Sequence, residues 1–197
     1  MKIWGLSGSI GMGKTTTANA FRRLGVPVFD ADAAVHALQA RGGAAVRPIG
    51  AAFPGTVQDG AVVREALRAA VLADPAALKR LEAIVHPLVR AAEARFLRAC
   101  RHRGEAIALL DIPLLFETRN AAERRYIDKI LVVSAPHAVQ RARVLRRKGM
   151  TPERFAAILA RQMPDSQKRR LADWVIPTGL SRHHTQAEIR RLVQTHA

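Results

Sequence analysis

The chain has 197 residues, of which 49% are hydrophobic and 5% aromatic, and its formal net charge is +16. This length suits one domain, or one core with a sizeable insertion, and the apolar content excludes a disordered chain. The few aromatic residues argue against base-stacking surfaces for nucleic acids. The charge favours either a polyanionic partner or basic side chains solvated on helix faces, and their spread along the chain favours the second.

A cytoplasmic location is expected from the cysteine content and from the absence of an apparent targeting or membrane segment. Cys100 is the only cysteine, so no intrachain disulfide can form, and we expect a small buried group on a helix. No apolar run approaches the ~20 residues that span a bilayer. Met1–Ser7 leads straight into a glycine-rich loop, and cleavage of a signal peptide there would destroy that loop.

Short runs of aliphatic and β-branched residues alternate with longer stretches of helical spacing. The short runs predict buried strands, and the alternation predicts an α/β fold with a parallel, five-stranded sheet covered on both faces. The predicted strands are Lys2–Ser7, Val26–Asp30, Ala106–Ile112, Lys129–Ser134 and Trp174–Ile176.

Local signals mark the ends of several predicted helices. Lys14–Leu24 follows the glycine-rich loop and stops at Gly25. Asp74-Pro75 and Thr151-Pro152-Glu153 are each typical of a helix start, with an N-cap followed by proline.

The spacing of the strands predicts two insertions. About 75 residues separate the second and third strands, far more than a crossover needs, so residues 33–103 are predicted to form an added helical subdomain suited to a lid or a substrate cover. Residues 137–170 are helical and densely basic, and they are predicted to form a small lid. The nucleotide-binding core then comprises residues 1–32, 104–136 and 171–197, and it closes with a helix over about Thr185–Thr195.

Residues Gly8–Thr15 match the phosphate-loop pattern G-x-x-x-x-G-K-[ST] at every fixed position. A predicted strand precedes this phosphate loop and an amphipathic helix follows it, which is the context that the motif requires. Backbone N–H groups and the positive end of the helix would hold the phosphates of ATP, Lys14 would reach the β- and γ-phosphates, and Thr15 would bind Mg²⁺. The predicted nucleotide-binding residues are Gly8, Gly11, Met12, Gly13, Lys14, Thr15 and Thr16.

Other motifs narrow the class of P-loop protein. GTPases usually carry N-K-x-D, and neither Asn19 nor Asn120 fits that pattern. No helicase-type acidic box is visible, and a small-molecule kinase is therefore favoured. The net charge leaves a nucleic-acid-stimulated ATPase as the alternative from a different class.

Acidic residues at predicted strand ends are candidates for catalysis and metal binding. Asp30 and Asp32 follow the second strand at the carboxyl edge of the sheet, where ligands bind. Asp32 is a candidate base for the acceptor hydroxyl, and equally an N-cap for the helix beginning near Ala33. Asp111 ends the third strand, where it suits Mg²⁺ held through water, a substrate contact, or a simple strand cap.

The chain as a whole resembles the dephospho-coenzyme A kinases. Apart from the phosphate loop no single block is decisive, and the resemblance rests on the order and spacing of all of them. The blocks are Gly5–Thr15, Asp30-Ala31-Asp32 with His36, Asp59-Gly60 with Arg64 and Leu67, Leu81–Pro87, Asp111–Glu117, the group Arg143, Arg147 and Gln162, and Ala172-Asp173.

This resemblance implies a P-loop NTPase-type three-layer fold with a nucleotide-binding core, a helical CoA-substrate-binding insertion (residues 33–103) and a small lid. It also implies ATP-dependent phosphorylation of the ribose 3′-hydroxyl of dephospho-CoA, giving coenzyme A and ADP. The implied substrates are ATP with Mg²⁺ and dephospho-CoA; neither a nucleic-acid partner nor a membrane is expected. The implied catalytic residues are Lys14, Asp32, and Arg143 and Arg147, which are predicted to share a helix face over the triphosphate.

The resemblance also assigns the acceptor side. His86, which alone would be taken as a packed histidine, is implied to contact substrate ahead of Pro87, a proline that bends or ends the helix. Pro177-Thr178-Gly179 departs from the Asp/Asn-rich turn usual in the family, so any adenine contact there is expected to use backbone groups. The implied substrate residues are His86, Asp111, Pro113, Leu114, Leu115, Phe116 and Glu117.

Overall fold

The structure is a computed structural model that describes residues 1–72 and 74–196. Ala73, in the predicted insertion, and Ala197, at the end of the predicted core, lie outside the described residues. In chain order the elements are β1 (Lys2–Ser7), α1 (Lys14–Arg23), β2 (Val28–Asp30), α2 (Ala31–Gln39), α3 (Val46–Ala52), β3 (Val57–Gln58), β4 (Ala61–Val62), α4 (Arg64–Leu72), α5 (Pro75–His102), β5 (Ile107–Asp111), α6 (Leu115–Thr118), a 3-10 turn (Ala122–Arg124), β6 (Lys129–Ser134), α7 (His137–Leu145), α8 (Pro152–Ala160), α9 (Asp165–Leu171), β7 (Trp174–Pro177) and α10 (Arg182–His196).

The predicted parallel sheet of five strands is confirmed, with the strand order β2-β5-β1-β6-β7. β1 pairs in parallel with β5 and with β6, and β6 pairs in parallel with β7. Every side chain of β5 is buried, as expected of a central strand covered on both faces. The two crossovers on either side of β1 bring the carboxyl ends of β1, β5 and β6 to one edge of the sheet.

Alternation along β1 directs its side chains to the two faces of the sheet. On one face Trp4 is fully buried with Phe21 of α1 and Ile189 of α10. On the other face Gly5 lies against Leu115 and Ile127, and a Cβ at Gly5 would be 3.1 Å from Cδ2 of Leu115. Helical segments therefore cover both faces, which gives the three layers that the sequence predicts.

The chain forms two compact units, Met1–Phe29 with Cys100–Ala197, and Asp30–Ala99. The first unit contains the phosphate loop, most of the sheet and α6 to α10. The second contains α2 to α4 and the antiparallel hairpin β3–β4, and Ile49 and Phe53 are among its buried apolar side chains. The three-part division into core, insertion and lid stays a prediction.

α5 runs from Pro75 to His102 with Pro87 in its interior. The prediction allowed Pro87 to bend or to end the helix, and the second alternative is wrong. One buried side, which includes Val85, Val89 and Leu97, extends over several turns on each side of the proline, and this packing outweighs the one backbone hydrogen bond that proline cannot make. The Asp74 carboxylate accepts a hydrogen bond of 2.8 Å from the Ala76 amide, and this bond lowers its pKa.

Cys100 is fully buried on α5, as predicted. Burial raises the pKa of its thiol, because an apolar environment disfavours the thiolate. Among residues 1–72 and 74–196, none of the helices combines the length and the apolar character that a bilayer crossing requires.

Candidate active site

The phosphate loop joins β1 to α1 through two glycines in the left-handed region. Gly11 has φ of 77° and Gly13, which immediately precedes α1, has φ of 89°. Non-glycine residues rarely adopt this conformation. Lys14 is the first residue of α1 and Thr15 and Thr16 are exposed in its first turn. The loop therefore ends at a helix N-terminus whose unpaired N–H groups suit an anion.

Close packing leaves no room for side chains at Gly8 and Gly11 of the loop. A Cβ at Gly8 would lie 2.3 Å from Cγ2 of Val133 on β6, and one at Gly11 would lie 2.5 Å from Cγ2 of Val144 on α7. Real Cβ atoms do not come this close to other heavy atoms. The glycines thus hold the loop against the end of β6 and the start of the predicted lid segment.

Lys14 and Asp111 are brought together, although 97 positions separate them in the chain. The Lys14 Nζ donates to the Asp111 Oδ1 at 2.7 Å, and the two side chains are 16% and 4% exposed. A hydrogen bond between charged groups with so little solvent access is of the stronger kind. The end of β5 is thereby tied to the start of α1, beside the phosphate loop.

The Pro177-Thr178-Gly179 turn supports the loop from another side. The buried Thr178 hydroxyl donates to the Met12 carbonyl at 2.6 Å. The Arg143 Nη2 in turn donates to the Thr178 carbonyl at 2.6 Å. Thr178 therefore links the phosphate loop to Arg143, a role that the sequence comparison with the family did not suggest. The expectation that this turn contacts adenine through its backbone stays a prediction.

Arg143 and Arg147 do not lie on one helix face, so that prediction is wrong. α7 ends at Leu145, Arg146 caps it, and Gly149 with φ of 74° follows in the turn. Arg143 is half-buried within α7, whereas Arg147 is exposed beyond the helix end. The two guanidinium groups therefore differ in how firmly they are held.

Two glutamines contact the backbone of Ile10 in the phosphate loop. The Gln140 side chain donates to the Ile10 carbonyl at 2.8 Å, and the Gln162 Oε1 accepts from the Ile10 amide at 3.1 Å. Gln162 belongs to the blocks of the resemblance, whereas Gln140 was missed. Gln140 is a polar residue on the face of α7 that packs on the loop. The sequence alone does not show which face of α7 that is, so it could not identify Gln140.

Residues Pro113–Glu117, which we name the acceptor segment, follow β5 directly. The Ser7 hydroxyl donates to the Pro113 carbonyl at 3.1 Å. Leu115 is fully buried and Phe116 is 8% exposed, so both side chains belong largely to the protein interior. The Glu117 Oε1 accepts from the Met163 amide at 2.8 Å and lies 2.8 Å from the Lys168 Nζ. The segment is thus packed on one side and held by polar contacts at its end.

The second unit contains the remaining predicted residues. The Asp30 carboxylate accepts from the Ala33 amide at 2.9 Å and is the N-cap of α2. Asp32 lies in the first turn of α2 and is exposed. The capping role left open for Asp32 therefore falls to Asp30. His86 is half-buried in the middle of α5, and the Arg64 Nη1 lies 2.9 Å from the His36 Nε2.

Oxygen donors suited to Mg²⁺ occur at the loop and at the end of β5. They are the exposed Thr15 hydroxyl and the Asp111 carboxylate, and such hard oxygens are the ligands that Mg²⁺ prefers. In the described ranges, no group of three or more His, Cys, Asp or Glu side chains could hold a metal. The donors fit a Mg²⁺ ion that arrives with a nucleotide and keeps phosphate and water ligands.

Comparison with known proteins identifies relatives over almost the whole chain. A family model described as dephospho-CoA kinase matches residues 2–181. The dephospho-CoA kinase of Mesorhizobium japonicum is 56% identical over 193 residues, which cover 98% of this chain and 95% of that protein. The dephospho-CoA kinase of Paramagnetospirillum magneticum is 63% identical over 169 residues, covering 86% of this chain and 78% of that protein.

The fold has a close counterpart among solved structures. The crystal structure of TT1252 from Thermus thermophilus superposes with a TM-score of 0.83 at 34% identity, and the match covers 98% of this chain and 96% of that chain. The family match and these relatives agree with the resemblance found in the sequence. The chain belongs to the dephospho-CoA kinase family.

Proposed function

We propose that this protein transfers the γ-phosphoryl group of ATP to the ribose 3′-hydroxyl of dephospho-CoA, giving coenzyme A and ADP. The observation that carries the proposal is the intact phosphate loop with Lys14 bound to Asp111, in a chain that matches the family over residues 2–181. A cytoplasmic location and a division into core, insertion and lid, as drawn from the sequence, are part of the same proposal.

The phosphate loop binds the donor. Backbone N–H groups at Gly13 and in the first turn of α1 bind the β- and γ-phosphates, and the N-terminus of α1 adds its positive dipole end. Lys14 neutralises charge on the transferred group. It is the first residue of α1, and its ammonium binds Asp111 at the end of β5, beside the phosphate loop. The Thr15 hydroxyl and the Asp111 carboxylate would be the protein donors to Mg²⁺, which would supply positive charge to offset that of the phosphates.

Arginines of the predicted lid stabilise the charge that develops on the γ-phosphoryl oxygens. Arg143 is held by Thr178, which also binds the phosphate loop, so its guanidinium is oriented before the nucleotide binds. Preorganised cations of this kind lower the barrier because little reorganisation is needed during the reaction. Arg147 is exposed and completes the pair when the nucleotide is bound.

Asp32, His86 and the acceptor segment bind and deprotonate the acceptor. Asp32 accepts the proton of the 3′-hydroxyl, and its exposed carboxylate, which does not cap α2, supports that role. His86 and the acceptor segment contact dephospho-CoA. Because Leu115 and Phe116 are buried, this segment contributes mainly its backbone and its shape.

The regiochemistry of the product tests the proposal. Purified protein is incubated with ATP, Mg²⁺ and either dephospho-CoA or its 3′-deoxy analogue, and the products are analysed by ³¹P NMR. We expect a new phosphomonoester at the 3′ position with dephospho-CoA and no phosphorylated product with the analogue. Phosphorylation of the 3′-deoxy analogue, or no transfer to either compound, would refute it.

A further inference from the structure

The short helix α9 buries a lysine and exposes a leucine. Lys168 is fully buried and is the buried residue of this helix, whereas Leu171 is 50% exposed. An amphipathic helix normally does the reverse. The neighbouring side chains are exposed, namely Gln167, Arg169 and Arg170. The side chain of α9 that points into the protein is therefore its lysine.

The partner of this ammonium is the last residue of the acceptor segment. The Lys168 Nζ lies 2.8 Å from the Glu117 Oε1, and the Glu117 side chain is 18% exposed. The contact is an ion pair, but the angles at the two atoms are not those of a hydrogen bond. Burying an ammonium costs desolvation energy, and an apolar pair of similar size is often as stable. Fold stability therefore gives little reason for a lysine at this position.

The same carboxylate also binds the chain between α8 and α9. The Glu117 Oε1 accepts from the Met163 amide at 2.8 Å. The residue before it, Gln162, accepts from the Ile10 amide of the phosphate loop at 3.1 Å. Two neighbouring residues, 162 and 163, thus contact the loop assigned to the donor and the segment assigned to the acceptor.

We propose that Lys168 and Glu117 are positioning residues, which fix the acceptor segment relative to the phosphate loop through the junction at Gln162-Met163. This inference rests on the proposed function for its consequence in catalysis. Glu117 acts through Lys168 and Met163 and need not contact dephospho-CoA itself. Misplacement of reacting groups by about 1 Å is enough to cost up to ~10²-fold in rate.

Steady-state kinetics of four variants test the proposal. The variants are Lys168→Met, Glu117→Gln, the double substitution, and Lys148→Met, which removes an exposed lysine of the lid segment as the matched control. We expect Lys168→Met and Glu117→Gln to lower kcat for dephospho-CoA by about 10- to 100-fold, with a much smaller change in the KM of ATP. Each single variant should also lose thermal stability, because it leaves one charge buried without its partner. The double variant should regain that stability but keep the low kcat.

Amide hydrogen exchange supplies a readout that needs no turnover. In substrate-free protein, exchange at Ile10 and Met163 should be at least about tenfold faster in Lys168→Met than in Lys148→Met, because the junction opens more often. If the unsubstituted protein does not phosphorylate dephospho-CoA, the proposed function fails. The exchange rates would still show whether Lys168 and Glu117 fix the acceptor segment relative to the phosphate loop. Recovery of kcat together with stability in the double variant, or equal exchange in the two lysine variants, would overturn the proposal.

Discussion

Replacing Lys14 by methionine should affect both catalysis and stability. Loss of the ammonium should lower kcat by about 10²- to 10³-fold, the usual effect of removing one preorganised donor to a developing charge. The substitution also removes the 2.7 Å bond to Asp111, whose side chain is 4% exposed. A hydrogen bond between charged groups contributes about 1.5–3 kcal/mol, which for a chain of this size lowers Tm by roughly 3–12 °C.

The double variant Lys14→Met with Asp111→Asn distinguishes the two effects. Asp111→Asn removes a buried negative charge that the Lys14 ammonium no longer offsets, so the Tm should return most of the way to its original value. Turnover should not return, because the charge directed at the transferred phosphate is still missing and a proposed Mg²⁺ donor has been removed as well. Calorimetry and an ADP-release assay on the same samples measure both quantities. Near-normal kcat in Lys14→Met, or recovery of turnover in the double variant, would refute the assignment of the phosphate loop.

Three further predictions concern the loop, the base and the buried thiol. Gly11→Ala and Gly25→Ala each place an alanine at positive φ, which costs about 1–2 kcal/mol of stability. Only the Cβ at position 11 would also clash with Val144. Calorimetric titration should therefore show a loss of ATP affinity in Gly11→Ala and not in Gly25→Ala. Asp32→Asn should lower kcat by about 10²- to 10⁴-fold with little change in ATP affinity, and an unchanged kcat would remove Asp32 from catalysis. Because burial raises the pKa of the Cys100 thiol, a disulfide reagent at pH 8 should label it far more slowly in folded than in urea-unfolded protein; equal rates would show that the site is open.

Sequence patterns were sufficient for the sheet and the phosphate loop. Both rest on local physics, namely a run of apolar residues between turn signals and a glycine pattern whose backbone conformations few other residues adopt. β1 and β6 have the predicted bounds, and β2 differs only by starting at Val28 instead of Val26. The family resemblance adds what local patterns lack, because it depends on blocks spread over the whole chain.

Roles that depend on tertiary contacts were not predictable in the same way. Asp30 and Asp32 are equivalent as acids near a helix start, and only the hydrogen bond to Ala33 shows that Asp30 is the cap. Lys168 is one basic residue in a basic stretch, and nothing in its neighbourhood marks it as buried. Pro87 was allowed to end its helix on propensity, but the packing of α5 outweighs that local preference.

The most direct test of the proposed reaction is ADP release from ATP and Mg²⁺, measured with dephospho-CoA, AMP or adenosine as acceptor and with no acceptor. We predict strong stimulation by dephospho-CoA alone and none in Lys14→Met. Turnover with AMP or adenosine but not with dephospho-CoA would keep a P-loop kinase and contradict the acceptor. ADP release that is the same with and without every acceptor would contradict the account as a whole.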